Sequence, residues 1–94
     1  MPLSVDSVLE QNRSLPATLV DGQIVVLSLD AGAYFDFDQS ATEIWLSFTT
    51  PRKVDEILND LARQYDLSAE TIAKDVLPFL EQMVHEKLLR VFGT

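Results

Sequence analysis

The sequence predicts an α+β domain, a three-stranded antiparallel sheet followed by three helices. Three observations carry this expectation. Residues 15–37 hold three short runs rich in β-branched and aromatic residues, separated by the tight-turn sequences Asp21-Gly22 and Asp30-Ala31-Gly32. From about residue 40 onward the apolar spacing lengthens from two to three and four. Residues able to cap a helix precede each run with the longer spacing.

Residues 1–14 are polar with scattered Leu and Val, and read as an N-terminal arm or a short leading strand. Residues 15–94 form the single domain. Its first strand, from Leu15, turns at Asp21-Gly22, a dipeptide that supplies the positive φ angles of a two-residue hairpin. The second run, Gln23 to Asp30, is β-branched and apolar, and the third is Ala33 to Phe37. Together they predict a meander with the second run in the middle. Alternation along the third run sends Ala33, Phe35 and Phe37 to one face and Tyr34 and Asp36 to the other.

Ser40 and Glu43 fit a capping box for the first helix, with Asp38 as a rival N-cap. Ala41, Ile44, Trp45 and Phe48 share one face of that helix. Thr50 and Pro51 suit the cap and first turn of the second helix, along which Val54, Ile57, Leu58, Leu61, Ala62 and Tyr65 recur at spacings of three and four. After a turn at Asp66-Leu67, Ser68 caps a third helix running from about Ala69 to about Lys87. Pro78 lies inside it and removes one backbone bond, yet the apolar spacing continues through, so one bent helix is expected. Leu88 to Phe92 can form a short final strand.

Length and composition narrow the function. The 94 residues include no cysteine, which leaves no disulfide framework and no thiolate metal site. Fifteen acids against seven bases give a formal charge of −8, a surface that repels phosphate backbones. No apolar run approaches the roughly 20 residues of a membrane span, and the start lacks a basic-then-apolar signal pattern, so a cytoplasmic location with no membrane association is expected.

Catalytic chemistry finds little support. The one histidine, His85, lies near a helix end without partner ligands and reads as a surface residue. Asp36 and Asp38 are two apart on a strand, a spacing that serves solvent-facing or capping carboxylates as well as an acid–base pair. No phosphate loop or nucleophile motif is present. No cofactor is called for. Trp45 sits on the core stripe of its helix, whereas Tyr34 is as well suited to the surface as to the core.

Two features instead suggest binding. In a meander the third strand keeps a free edge, and Ala33 to Phe37 carries no Pro or Lys to blunt it. The third helix has one apolar stripe at Ile72, Val76, Phe79, Leu80 and Met83 and a second at Ala73, Leu77, Val84 and Leu88. That is more than the ~100° stripe a helix needs against one core. Either the helix wedges between two layers, or part of the second stripe lines an open groove. An extended peptide can add to such an edge as a further strand.

The run "GQIVVLSLDAGAYFDFDQSATEIW", followed by "KVDEILNDLARQYDLSAETIAKDVLPFLEQMVHEKLL", resembles the PqqD family, the recognition elements that bind leader peptides of ribosomally made, post-translationally modified peptides (RiPPs). The likeness covers about Leu3 to Val91. The resemblance implies a winged-helix-like fold and no catalysis. It implies a leader peptide docked antiparallel to the third strand, in the cleft against the third helix. By position, the implied contacts are Ala33, Tyr34, Phe35, Asp36 and Phe37 on the strand and Lys74, Leu77, Pro78 and Glu81 on the helix. The implied partners are the leader and a modifying enzyme: a leader peptidase, a cyclase or a radical SAM enzyme. Lasso-peptide and other RiPP pathways, and pyrroloquinoline quinone biosynthesis, are all compatible, and the chain is expected to be a monomer or weak dimer. Two departures stand out. Asp38 replaces the family's usual Asn, and Lys87 replaces the Gly that ends the third helix, where a left-handed residue is costly without Gly.

Two other classes compete. A winged-helix DNA-binding regulator shares the helix content but should show a basic patch. Here Arg63, Lys74, Lys87 and Arg90 are scattered among acids. A dimerising adaptor would pair the third strand with its own copy.

Overall fold

In the computed structural model, residues 3–28 and 32–92 are described. The expected meander is present: β2 (Ala17–Val20), β3 (Gln23–Ser28) and β4 (Ala33–Asp36) form a sheet in the order β2-β3-β4, antiparallel throughout. Asp21 and Gly22 both take positive φ, at 52° and 81°, as the two-residue turn requires. The second turn, expected at Asp30 to Gly32, falls largely on residues 29–31, outside the described residues. Ile24 and Val26 turn inward from β3, and on the same face Phe37, just past β4, is buried and Phe35 is half-buried.

A second sheet exists that the meander did not anticipate. The N-terminal segment forms β1 (Val8–Gln11), which lies between β5 (Arg52–Lys53) and β6 (Leu89–Val91), antiparallel to both. Within residues 1–14, Val8–Gln11 is strand, paired along both edges. Leu9 is fully buried, and Glu10, also buried, pairs with the Arg90 guanidinium directly across the ladder. The segment is tied down beyond its ladder. Gln11 N–H donates to the Phe48 carbonyl at 3.0 Å, and its side-chain amide donates to the Trp45 carbonyl at 2.8 Å.

Helix α1 (Gln39–Leu46) starts two residues earlier than the Ser40 capping box would place it. Asp38 is the N-cap, its Oδ1 accepting from the Ala41 N–H at 2.8 Å. Asp38 directly follows the last inward residue of the sheet, so the chain can turn into the helix without a spacer. Helix α2 (Val54–Tyr65) starts later than expected. Thr50 and Pro51 do not open it, because Arg52 and Lys53 are first drawn into pairing with β1. Glu56 then accepts from the Lys53 backbone N–H at 3.2 Å. Helix α3 (Ala69–His85) is continuous through Pro78, with Ser68 capping the Thr71 N–H at 3.1 Å. It ends at His85, two residues short of the expected Lys87.

The core unites both sheets and all three helices. Leu9, Val26, Phe37, Trp45, Phe48, Val54, Ile57, Leu80, Met83 and Leu89 belong to one buried cluster. Trp45 is a core residue, its ring 5.6 Å from that of Phe37 in a tilted arrangement. Tyr34 resolves the other way and is 66% exposed. The result is an α+β fold with two small antiparallel sheets and three helices. Among the described residues, no helix is long and apolar enough to cross a membrane.

Candidate functional site: an open strand edge beside helix α3

Strand β4 pairs with β3 on one side only; among the described residues no strand occupies its other edge. The register tells which backbone groups lie there. Phe37 N–H donates to the Ile24 carbonyl at 2.9 Å, and bonded pairs alternate along an antiparallel ladder. The Val26–Phe35 pair therefore exchanges hydrogen bonds, while Val25–Asp36 and Leu27–Tyr34 do not. The N–H and C=O groups of Tyr34 and Asp36 point away from β3, toward the open edge.

A cleft of about 300 Å³ runs between this edge and α3. One wall is Tyr34, Phe35, Asp36 and Phe37. The other is Phe79, Gln82, Met83 and Glu86, spaced three, four and seven apart on one face of α3, with Leu88 closing the end. A second cleft of about 300 Å³ shares Phe79 and continues toward the start of α1, lined by Asp38, Ser40, Ala41, Ile44, Asp75 and Val76. The floor is therefore apolar and aromatic, with carboxylates around it.

The local sequence explains this geometry. Asp38 caps α1 directly after Phe37, which holds the end of β4 against the helix start. Thr42, buried on α1, accepts from the Ile24 N–H through its hydroxyl at 3.0 Å, fastening helix to sheet. At the far end α3 stops in a Schellman motif, in which Leu88 N–H donates to the Met83 carbonyl at 2.8 Å and Lys87 N–H to the Val84 carbonyl at 3.0 Å. Lys87 adopts the left-handed conformation, φ 63°, that Gly would take more cheaply. The Asn12 side-chain amide holds the Lys87 carbonyl at 2.8 Å, and Leu88 is buried behind it.

The expected site residues divide. Tyr34, Phe35, Asp36 and Phe37 meet at the cleft, and Ala33 begins the same strand. Lys74, Leu77, Pro78 and Glu81 do not line it. Glu81 accepts from the Leu3 backbone N–H at 3.3 Å, so its face of α3 is turned to the N-terminal segment. Leu77 packs on the core margin. The stripe that reaches the cleft is the first one, through Phe79 and Met83. Of the second stripe, Leu88 alone arrives there, from beyond the helix end. Gln82 and Glu86 were missed because a polar residue at a groove rim has the same spacing as one facing water.

A larger cavity of about 530 Å³ lies at β6, lined by Glu10, Asn12, Val84, Lys87 and Arg90 among others. It surrounds the Glu10–Arg90 ion pair and lies away from the β4 edge. The outer edge of β2 is also unpaired, but its four residues are all exposed. The β4 edge combines outward backbone groups with a wall of Phe35, Phe37, Phe79 and Met83.

The family model described as Coenzyme PQQ synthesis protein D (PqqD) matches residues 23–89. Two solved structures share the fold. TbiB1, in complex with the TbiA(beta) leader peptide, is 24% identical with a TM-score of 0.75, over 90% of this chain and 96% of TbiB1. The PqqD truncation of Methylobacterium extorquens PqqCD, described as a functional and stand-alone RiPP recognition element, is 22% identical. Its TM-score is 0.74, over 94% of each chain. No curated protein sequence matches the chain.

Proposed function

The chain belongs to the PqqD family, and we propose that it is a non-catalytic recognition element. It binds the leader segment of a ribosomally made precursor peptide as an added strand on β4, against α3. It then presents the precursor to a modifying enzyme. The observation that carries this reading is the open β4 edge, where the backbone groups of Tyr34 and Asp36 face a cleft floored by Phe35, Phe79 and Met83. An incoming strand satisfies those groups and lowers alternate side chains into the cleft.

The same fold is seen with a leader peptide bound in TbiB1. The partner enzyme is a leader peptidase, a cyclase or a radical SAM enzyme. Tethering the leader raises the local concentration of the core peptide at that enzyme without any catalytic group from this chain. The contacts we propose are Ala33 to Phe37 on the strand and Phe79, Gln82, Met83 and Glu86 on the helix. The positions implied by resemblance, Lys74, Leu77, Pro78 and Glu81, serve as the control set.

Titrating the isotope-labelled protein with a synthetic leader segment of its precursor peptide tests the proposal. Amide shifts should concentrate in Tyr34 to Phe37 and Phe79 to Glu86, with sub-micromolar to micromolar affinity, about 8–9 kcal/mol. Absence of binding, or shifts confined to the face bearing Lys74, Leu77 and Glu81, would overturn it.

A further inference from the structure

Four acidic residues, Asp36, Asp38, Asp75 and Glu86, line the two joined clefts, and no Lys or Arg lines either one. None of the four is in an ion pair among the described residues; Arg52, Arg63 and Arg90 pair with Glu56, Asp60 and Glu10 instead. The apolar floor and the open edge call for an extended chain, and the unpaired acids determine what charge that chain carries.

The register narrows this to a pattern. Residues directly opposite one another on adjacent strands project to the same face. Phe35 is half-buried on the face toward α3, and Phe37 is buried on that face. Peptide residues opposite these two therefore point at Phe79 and Met83, about 6.6 Å apart along the strand. The single residue between them lies opposite Asp36 and projects with it to the outer face. Asp36 is exposed and in no ion pair among the described residues. Its neighbour directly across the β3 ladder is Val25, which carries no charge.

We infer that the groove selects a cationic leader strand in which a Lys or Arg, placed across from Asp36, is flanked on both sides by apolar side chains that enter the cleft. Asp75 and Asp38 at one end and Glu86 at the other favour further basic residues where the peptide enters and leaves. The pattern is symmetrical about Asp36, so it holds for either strand direction. This inference rests on strand addition at β4 and adds the chemistry of the occupant.

Display of a random ten-residue peptide library against the full chain tests it. Binders should converge on apolar–basic–apolar, and replacing the central Lys by Glu in a selected peptide should weaken binding about tenfold, as a favourable cross-strand charge pair becomes a repulsive one. Asp36→Lys should reverse the preference. If that variant does not fold, Asp36→Asn should make the Lys and Glu peptides bind alike. Binders that shift Tyr34 to Phe37 resonances yet accept Lys, Gln and Glu equally at the centre would overturn the charge inference and leave strand addition standing. A library that yields no binders, or only binders mapping to another face, would overturn both.

Discussion

Thr42 shows how much one side chain can decide. Ile24 stands at the end of β3, where its N–H has no strand partner, and the Thr42 hydroxyl takes it in a buried setting. Thr42→Val keeps the shape and leaves that donor unpaired, which should cost about 1–3 kcal/mol, read as a lower midpoint in urea. Lys87 is a second case. Its left-handed backbone is imposed by the Schellman bonds and by burial of Leu88, and it costs a non-glycine residue roughly 1 kcal/mol. Lys87→Gly should therefore raise the melting temperature by about 4–8 °C in a domain this small, measurable by calorimetry. Asp38 and Ser68 were both legible as caps, because a side-chain oxygen ahead of an apolar repeat has few other uses. The choice of Asp38 over Ser40 was not, since both had suitable chemistry and only the end of the sheet separates them.

Among the elements, β4 and α3 matter most. Asp36 directs its N–H away from β3, so that donor takes no part in the sheet. Proline is tolerated on an edge strand at such a position. Asp36→Pro should leave the circular dichroism spectrum unchanged and abolish leader binding by calorimetry, because the incoming strand loses a backbone partner. In α3, Pro78 lies on the exposed side, and Val76, Leu80 and Met83 stay buried on either side of it. The helix runs on because packing outweighs one missing bond. The order of elements could be read from turn chemistry and period. The rotation of α3 about its axis could not. Two adjacent apolar stripes are compatible with several rotations, and contacts from α2, β6 and the N-terminal segment select one.

On the scale of the whole molecule, the second sheet joins the two ends of the chain. Strand β1 binds a segment ahead of α2 and another after α3, and Leu9 beneath them is fully buried. Leu9→Ala should cost about 2–5 kcal/mol, a large share of the 5–15 kcal/mol typical of a whole domain. Loss of dispersion in the amide NMR spectrum at moderate urea should report it. The N-terminal segment is thus part of the fold. The charge of −8 also acts on this scale, because it disfavours a phosphate backbone and suits a basic peptide.

The sequence by itself determined what depends on near neighbours. The Asp21-Gly22 hairpin, the alternation that separates Phe35 and Phe37 from Tyr34 and Asp36, and the free edge of a meander all follow from backbone sterics and the period of the side chains. Only the tertiary structure decided the sheet of β1, β5 and β6 and the face of α3 that meets β4. Those strands are two to four residues long, and the Glu10–Arg90 contact spans 80 positions. So short a run carries almost no periodic signal. Its partner is chosen by burial of Leu9 and Leu89 in a shared core, which exists only once the chain has closed on itself.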